Sequence, residues 1–285
     1  MKIYTKWIVL IGAGSIGLGR VDAQLYDFNQ ASQLGTDVYT SSSSFVWNHE
    51  TTGGIDDSGW LETSTSNASS FRHSVMTSAT FSGATQSFEL GIYFKWVGTA
   101  TTSGDLLVLG VGQVSDNSEP FEAKFGSNGT QVTTIPYQQF YAGIAGTSTN
   151  DHTVRFTSSF MVDGYNTNSS PSTPNAELVA GNWYYLGQEW ELNEDGDGFE
   201  MSMSLHNASG DGTIGSLLID TSRTGVNAKL VDGQLHAFFM GRSAPYSGVS
   251  GVDNFVVSAI PEAGVGMMLL LGLGIGTAGR RRNRI

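Results

Sequence analysis

A short acidic segment in the second half of the chain holds the residue types best suited to chemistry. Glu189, Glu191 and Glu194 are separated by one and then by two residues. Alternate residues of a β-strand share a face, so Glu189 and Glu191 are expected to point to the same side. Two carboxyl groups about 5 Å apart can act as nucleophile and acid/base in retaining glycoside hydrolysis. The alternative is a solvated acidic strand face, and we expect no catalysis.

The residues that follow predict either a turn or a metal site. Asn193, Asp195 and Asp197 place oxygen ligands at alternate positions, as at the start of a calcium-binding loop. The twelfth position of such a loop is Ser204, where a complete loop needs a bidentate glutamate. Asparagine, aspartate and glycine are also the residues expected in a hairpin turn. The segment therefore forms either a simple turn or a turn that carries a weak calcium site.

Aromatic residues supply a third candidate site. Exposed rings of tyrosine and tryptophan stack on sugars, because they combine apolar area with a polar group. Three tryptophans alternate with polar neighbours and are predicted to belong to the core: Trp96, Trp183 and Trp190. Four other residues lie in polar, loop-like stretches and are the candidates for ligand binding: Trp47, Trp60, Tyr141 and Tyr246.

The composition excludes several classes of function. The chain has 14 basic and 26 acidic residues, and half of the basic ones lie in its two ends. The stretch 24–259 therefore carries a net charge of −17, which argues against nucleic acid as a partner. The five histidines form no zinc-binding motif, and this stretch has no nucleophile elbow. With no cysteine, an exported domain must depend on packing, with calcium as the one cofactor the sequence suggests.

The elements that position these residues are predicted to be strands. Polar and apolar residues alternate, with many Val, Thr and aromatic side chains, in segments 87–96, 106–111, 153–156, 183–192, 199–205, 235–240 and 252–258. Ser, Thr, Gly and Asn fill the joins, and no amphipathic helix interrupts the series. The pattern predicts an all-β domain over residues 24–259, built as a two-sheet antiparallel sandwich.

Three of these segments resemble the concanavalin A/laminin-G superfamily. An aromatic-rich strand at 88–96, a Trp-led strand and hairpin at 183–205, and a closing strand at 251–257 follow one another in the order typical of it. The resemblance implies a jelly roll. Laminarinase-like hydrolases of this superfamily use Glu-x-Asp-x-x-Glu, so the resemblance would make Glu189 and Glu194 the nucleophile and acid/base. Glu191 stands where that motif has aspartate.

The two ends of the chain predict export. Residues 1–23 carry lysines, then an apolar run, then small residues before Gln24, as in a secretory signal peptide, which we expect to form an N-terminal signal helix. Residues 263–279 contain no charge and, as a helix, would extend about 26 Å, enough for a transmembrane helix. A basic cluster follows this run directly: Arg280, Arg281, Arg282 and Arg284.

Residues 260–285 resemble the PEP-CTERM sorting signal of Gram-negative bacteria. Pro261 and Glu262 match the first two positions of its Pro-Glu-Pro motif, and Ala263 stands at the third. The hydrophobic segment and the arginine-rich end, with Arg280, Arg281 and Arg282, complete the layout. The resemblance implies an exosortase-type membrane protease as a partner, attachment to the membrane through the C-terminal helix before processing, and a link to extracellular polysaccharide.

Together these features predict an exported protein of the cell envelope, outer surface or extracellular matrix of a Gram-negative bacterium. The acidic β-sandwich is expected to bind glycan or to serve a structural role there, without nucleic acid as a partner. Two alternatives remain open. One is a structural surface protein with no ligand, and the other is a glycoside hydrolase that uses Glu189 and Glu194.

Overall fold

The computed structural model of the protein describes most of the stretch from residue 24 to residue 260. The described ranges are 24–34, 37–40, 47–63, 73–82, 87–98, 105–112, 138–147, 152–162, 165–169, 175–192, 199–221, 224–226, 234–242 and 244–260. The predicted signal peptide, the sorting motif and the predicted helix 263–279 lie outside the described residues. Within the ranges above, no helix combines the length and the apolar character needed to span a membrane.

The described strands form two sheets, and every strand pairing in them is antiparallel. Sheet 1 comprises β1 (Gln24–Tyr26), β3 (Trp47–Glu50), β4 (Trp60–Thr63), β6 (Ser87–Trp96), β12 (Trp183–Leu192), β13 (Phe199–Ala208), β14 (Ile214–Asp220), β15 (Thr224–Val226) and β17 (Val249–Ile260). Its strand order is β14-β13-β12-β6-β17-β4-β3, with β15 beside β13 and β1 beside β17.

Sheet 2 lies on the other side of the core. It comprises β2 (Val38–Thr40), β5 (His73–Ser82), β7 (Asp105–Gly112), β8 (Gln138–Gly146), β9 (Thr153–Val162), β10 (Tyr165–Ser169), β11 (Ala176–Glu177) and β16 (Gln234–Gly241). Its strand order is β10-β9-β8-β7-β16-β5-β2, with β11 beside β9. The described helices are short: the 3₁₀ turns Ala31–Gln33 and Ile55–Asp57, and the helix α1 (Ala244–Ser247).

This architecture confirms the predicted all-β class and the two-sheet antiparallel sandwich. Successive strands move from one sheet to the other: β5 is in sheet 2, β6 in sheet 1 and β7 in sheet 2, and the chain crosses again between β16 and β17. Two strands have the bounds that alternation predicts, β6 at Ser87–Trp96 and β12 at Trp183–Leu192. The predicted signal helix and transmembrane helix belong to residues that the structure does not describe.

The core lies between the sheets and includes alternate residues of β6 and β12. In β6, Phe88, Ile92 and Trp96 are fully buried. The ring of Phe88 stacks on that of Trp190 in the neighbouring strand, with centroids 5.4 Å apart and planes 16° from parallel. Trp96 and Trp190 are therefore core residues, as their alternation with polar neighbours predicted.

One polar side chain crosses the core between the sheets. Gln188 of β12 is 4% exposed, and its Nε2 donates to the backbone carbonyls of Leu109 and Ala142 in sheet 2, at 3.3 and 2.5 Å. Its Oε1 accepts a hydrogen bond from Trp190 Nε1 at 3.0 Å. Because a buried polar group costs free energy unless it is paired, these bonds make the position specific for glutamine. They also fix which face of β12 points away from the core.

Candidate functional site

The side chains that could contact a ligand lie on the face of sheet 1 that points away from sheet 2, called here the outer face. In β12, Gln188 and its even-numbered neighbours point into the core, so Tyr185, Gly187 and Glu189 point outward. Glu191 is two residues further along the same strand and shares this face. The predicted placement of Glu189 and Glu191 on one side of a strand therefore agrees with the structure.

Strand register brings further polar residues beside Glu189. Glu89 of β6 is its direct cross-strand partner on one side, and Ser202 of β13 is its partner on the other. Tyr185, four residues earlier, lies between Tyr93 of β6 and His206 of β13. Directly opposed residues have Cβ atoms about 4.5–5.5 Å apart. On the outer face, the carboxylates of Glu89 and Glu189 therefore lie side by side on neighbouring strands. The rings of Tyr93 and Tyr185 lie side by side four residues away along the same strands.

A depression with a volume of about 490 Å³, called here the groove, opens beside these carboxylates and the ring of Tyr185. It lies over β6, β12, β13 and β14. Its lining combines carboxylates, hydroxyl groups, an imidazole and a phenol ring: Glu89, Leu90, Tyr185, Gly187, Gln188, Glu189, Ser202, Met203, Ser204, His206, Ile214, Gly215, Asp220 and Thr221. Among the residues that the structure describes, no lysine or arginine belongs to this lining.

Two glycines create the room that the ring of Tyr185 occupies. Gly91 and Gly187 are cross-strand partners on the outer face. A Cβ built on Gly91 would overlap the hydroxyl oxygen of Tyr185 and lie 2.7 Å from its Cζ. A Cβ on Gly187 would lie 3.1 Å from the ring. The ring therefore lies across the backbone at Gly91, where any side chain would displace it.

Beyond the groove, aromatic residues form a compact cluster on the same face. The rings of Trp60 and Trp183 meet edge to face at 5.6 Å, and those of Tyr93 and Tyr185 meet at 4.9 Å. The ammonium group of Lys95 lies 5.7 Å from the ring centroids of both tryptophans, within the range of a cation–π interaction. Trp183 is buried, as predicted, but it belongs to this outer cluster and not to the core between the sheets.

A loop over residues 53–59, called here the strap, covers the aromatic cluster. Ile55 of the strap is 4% exposed and packs with the cluster. The backbone N–H of Asp56 donates to the carbonyl of Gly210 in the β13–β14 hairpin at 2.6 Å. The hydroxyl of Tyr93 donates to the carbonyl of Gly212 in the same hairpin at 2.7 Å. Burial raises the pKa of Tyr93 to about 12, so this donor stays protonated. The strap therefore covers the aromatic cluster of the outer face, whereas the groove beside it is not covered by the strap.

The carboxylate of Asp253, in β17, is hydrogen-bonded to the strap. Its side chain is fully buried and accepts hydrogen bonds from the Ile55 N–H at 2.7 Å and from the Ser58 hydroxyl at 3.0 Å. The N–H of Asn254, a residue with a φ of 49°, donates to its other oxygen at 2.7 Å. Burial raises the pKa of Asp253 to about 7, although these three donors favour the ionised form. A Cβ on Gly54 would lie 2.5 Å from the carboxylate, so this position needs glycine.

The structure corrects the aromatic candidates. Trp47 is 5% exposed and packs edge to face on Phe239 of sheet 2, with centroids 5.4 Å apart, so it is a core residue. Tyr141, at 4%, is equally buried on β8. Trp60, at 6%, lies under the strap. None of these three presents an open ring face to a sugar. Tyr246 is half-buried in α1 and lies outside the groove lining.

The remaining predicted residues divide between the groove and the undescribed part of the chain. Glu189 lines the groove, and Glu191 shares its face. Glu194 and the predicted calcium ligands Asn193, Asp195 and Asp197 lie outside the described residues. Among the residues that are described, no three His, Asp or Glu side chains lie close enough together to hold a metal ion.

Three residues of the site were not singled out from the sequence. Glu89 is the one acid in the alternating segment 87–96, and alternation alone places it on the face opposite that of the core residue Phe88. His206 appeared only as an isolated histidine. Asp253 is preceded by apolar Val252 and followed by Asn254, and no sequence pattern distinguishes a buried aspartate from a turn residue there. Strand register, which sequence periodicity does not give, is what brings Glu89 and His206 to Glu189 and Tyr185.

Comparisons with known proteins find structural similarity but do not place the chain in a family. No protein-family model matches the chain, and no curated protein matches it by sequence. Among solved structures, the metal-free lectin I-B4 of Griffonia simplicifolia has a TM-score of 0.47 and 9% identity, over 84% of this chain and 100% of that one. Basic winged bean lectin with Tn-antigen gives 0.46 and 12%, over 84% and 99%. The globular domain of T. cruzi calreticulin gives 0.48 and 11%, over 90% and 94%. TM-scores below 0.5 assign neither a family nor an activity.

Proposed function

We propose that the protein is a glycan-binding module and that the sugar lies in the groove. The observation that carries this proposal is the lining of the groove, where hydroxyl groups, carboxylates and an imidazole stand beside the ring of Tyr185. A sugar ring presents hydroxyl groups at its rim and apolar C–H faces, so it needs polar partners and an apolar wall together. A volume of about 490 Å³ falls within the range of small-molecule sites.

Filling the groove is the most direct test of this proposal. Ser204 lies on the floor of the groove, where it is paired with Gly187 and Asp220. We expect Ser204→Trp to reduce binding to an immobilised polysaccharide panel at least about tenfold, or about 1.4 kcal/mol, because the indole occupies the space of the sugar. Ser32→Trp, in the exposed 3₁₀ turn Ala31–Gln33 outside the groove lining, is the matched control and should bind like the wild type.

The outcomes of this test separate the hypotheses. A wild-type protein that binds no polysaccharide of the panel would refute glycan binding and favour the structural, ligand-free alternative. Binding that survives Ser204→Trp would place the sugar elsewhere on the molecule. Circular dichroism of both variants shows whether the sandwich is intact.

We infer that this module acts in the cell envelope or extracellular matrix. The support is the signal-peptide pattern of residues 1–23 and the PEP-CTERM-like pattern of residues 260–285, which would bring the chain to an exosortase-type protease and hold it in the membrane through residues 263–279. Fractionation of cells that express the full chain should find it in the envelope or the medium. Intact, uncleaved chain in the cytosol contradicts this assignment.

One observation favours a second candidate function, glycoside hydrolysis. Glu89 and Glu189 are direct cross-strand partners, and the Cβ separation of such pairs is about 4.5–5.5 Å. Retaining hydrolases need carboxyl groups about 5–5.5 Å apart. Cross-strand register therefore makes Glu89 the candidate second carboxylate beside Glu189. Reducing-sugar release that disappears in both Glu89→Gln and Glu189→Gln would establish hydrolysis, whereas binding without release establishes the module.

A further inference from the structure

We propose that the strap opens and that Trp60 and Trp183 beneath it hold a further sugar residue of the glycan chain that lies in the groove. This inference rests on the proposed function and deepens it, because the ligand becomes an extended oligosaccharide. The observation that points to a ligand is the indole N–H of Trp60. This side chain is 6% exposed, and among the described residues no acceptor lies within hydrogen-bonding distance of its Nε1.

Other buried tryptophans of the chain have an acceptor for this group. The indole N–H of Trp96 donates to His152 Nδ1 at 3.3 Å, and that of Trp190 donates to Gln188 Oε1 at 3.0 Å. Buried donors are paired in the great majority of cases, because an unpaired donor costs free energy. With the strap closed, the described residues leave this cost in place at Trp60. A sugar hydroxyl oxygen at the edge of the ring would remove it.

The orientation of Trp60 places this N–H beneath the strap. The benzene side of the indole lies over Gly251 of β17, where an added Cβ would be 2.6 Å from ring atom Cε3. The side with Nε1 lies beside Gly53 of the strap, 3.4 Å from the position of a Cβ there. Displacement of the strap at Gly53 therefore uncovers the N–H edge of the ring.

The strap has internal hydrogen bonds and can therefore move as one unit. Within it, the N–H of Gly54 donates to the carbonyl of Ser58, and the N–H of Ser58 donates to the carbonyl of Ile55, both at 3.0 Å. Its hydrogen bonds to sheet 1 include those from the Ile55 N–H and the Ser58 hydroxyl to Asp253. Opening breaks the bonds to Asp253 and keeps the internal ones, so the strap retains its shape.

Strained backbone lies in the part of the strap that contacts the β13–β14 hairpin. Asp56 and Asp57 have φ values of 56° and 57°, in the left-handed region, which costs free energy for residues other than glycine. The N–H of Asp56 donates to the carbonyl of Gly210 at 2.6 Å and holds this conformation in the closed form. Strained residues of this kind cluster at ligand clamps and switch regions. Release of the strap relieves the strain, which lowers the free energy needed to open it.

The aromatic cluster is continuous with the groove. Tyr185 and Ile214 line the groove and also pack in the cluster. Trp183 lies two residues before Tyr185 on the same face of β12, about 7 Å away along the strand. The ammonium group of Lys95, 5.7 Å from both tryptophan centroids, supplies further hydrogen-bond donors. A glycan chain that leaves the groove past Tyr185 therefore meets apolar ring faces together with donors for its hydroxyl groups.

The test compares a short and a long fragment of one polysaccharide. The disaccharide and the hexasaccharide are prepared by partial hydrolysis of the panel polysaccharide that the wild type binds most tightly, and both are titrated into the full-length protein. We expect the hexasaccharide to bind at least about tenfold more tightly, because it alone reaches from the groove to the tryptophans.

Hydrogen exchange of the bound protein reports the position of the strap. In the closed form the amides of Ile55 and Asp56 donate to Asp253 and Gly210. Opening removes these acceptors, so the hexasaccharide should speed exchange of both amides about threefold or more. The disaccharide should leave their exchange unchanged, since the groove is not covered by the strap.

Trp60→Phe keeps an aromatic ring and removes the unpaired N–H. We expect it to lower affinity for the hexasaccharide about fivefold and to leave affinity for the disaccharide unchanged. Trp47→Phe is the matched control, because Trp47 lies on the neighbouring strand β3 and packs on Phe239 in the core. It should leave both affinities unchanged. A loss of affinity for both fragments in Trp60→Phe would assign Trp60 to the support of the groove and overturn the inference.

Ser58→Ala shifts affinity in the opposite direction. It removes a hydrogen bond that holds the strap closed, so affinity for the hexasaccharide should rise about threefold while that for the disaccharide stays the same. Ser78→Ala is the matched control, since the hydroxyl of Ser78 in sheet 2 also donates to a single acceptor, the carbonyl of Asp37, at 3.0 Å. Weaker binding of the hexasaccharide to Ser58→Ala would contradict opening.

The remaining outcomes separate this inference from the proposed function. Equal affinity of the wild type for both fragments, with unchanged exchange in the strap, overturns the site under the strap but leaves glycan binding in the groove intact, provided that Ser204→Trp abolishes it. Slower exchange of the strap with the hexasaccharide also overturns the inference, because the strap would then stay closed over the tryptophans. Absence of binding to every polysaccharide removes the proposed function as well.

Discussion

Gly91→Ala is expected to abolish glycan binding in the groove. The new methyl group would overlap the hydroxyl oxygen of Tyr185 and lie 2.7 Å from its Cζ, so the ring must leave its position. Tyr93 already packs against this ring at 4.9 Å, and Ile55 of the strap packs with the same cluster. The displaced ring therefore enters the groove. We expect affinity to fall about a hundredfold or more, equivalent to about 2.7 kcal/mol.

The same substitution should also lower stability. Overpacking a filled site lowers the free energy of unfolding by about 1–3 kcal/mol. Urea denaturation of the wild type and the variant would measure this loss. Gly187→Ala is the matched control, since its methyl group would lie 3.1 Å from the ring and from the hydroxyl oxygen of Ser204. Shifts of a few tenths of an ångström accommodate that contact, so its effect on binding should be much smaller. Wild-type affinity in Gly91→Ala would show that the position of the Tyr185 ring is irrelevant to the ligand.

Asp253 is expected to make the stability of the protein fall as the pH rises. Burial raises its pKa to about 7 in the folded state, from an ordinary value of about 4 in the unfolded chain. Below about pH 4 the carboxyl is protonated in both states, and its contribution to stability is complete. Between about pH 4 and pH 7 the unfolded chain releases the proton and the folded state retains it, so stability is lost. The expected loss is about 4 kcal/mol over this interval.

Comparison with Asp253→Asn isolates this contribution. Asparagine cannot ionise, so the free energy of unfolding of the wild type should decline relative to that of the variant between about pH 4 and pH 7. Asp27 also raises the pKa of Asp253, so Asp27 is kept in both the wild type and the variant. Asp211→Asn is the control of opposite sign. The hydroxyl of Ser209 lowers the pKa of Asp211, whose contribution is present above its ordinary pKa and lost as the pH falls. A pH-independent difference between wild type and Asp253→Asn would refute the assignment.

The strap connects Asp253 to the candidate site. It covers Trp60 and bonds to the β13–β14 hairpin, which forms one wall of the groove through Ile214 and Gly215. Ionisation of Asp253 adds a charge to a fully buried position under the strap. The destabilisation that we expect as the pH rises towards 7 is therefore located beneath the strap, beside one wall of the groove.

The fold could be predicted largely from the sequence because strand alternation is a local property. Residues 87–96 and 183–192 read as strands and are strands, and their apolar sides form the core. The same alternation placed Glu189 and Glu191 on one face before any register was known. The net charge and the composition are sums over the chain, so the classes of function that they exclude could be named without tertiary information.

The site could not be predicted because it depends on long-range register and on loops. Nothing local pairs Glu89 with Glu189, a hundred positions later, or places a glycine under Tyr185. Trp47 and Trp60 sit in polar stretches that resemble exposed loops, yet Trp47 packs on Phe239 of the opposite sheet and the strap covers Trp60. Their polar neighbours face solvent while the rings turn inward, an outcome that periodicity over three or four residues does not encode.

A crystal structure of the protein with a bound oligosaccharide, chosen from the panel by affinity, tests the central claim most directly. We predict sugar density in the groove over β6, β12 and β13, with hydroxyl groups within hydrogen-bonding distance of Glu89 and Glu189 and a ring face beside Tyr185. Density on the loops at either end of the sandwich, or on sheet 2, with the groove empty would contradict it.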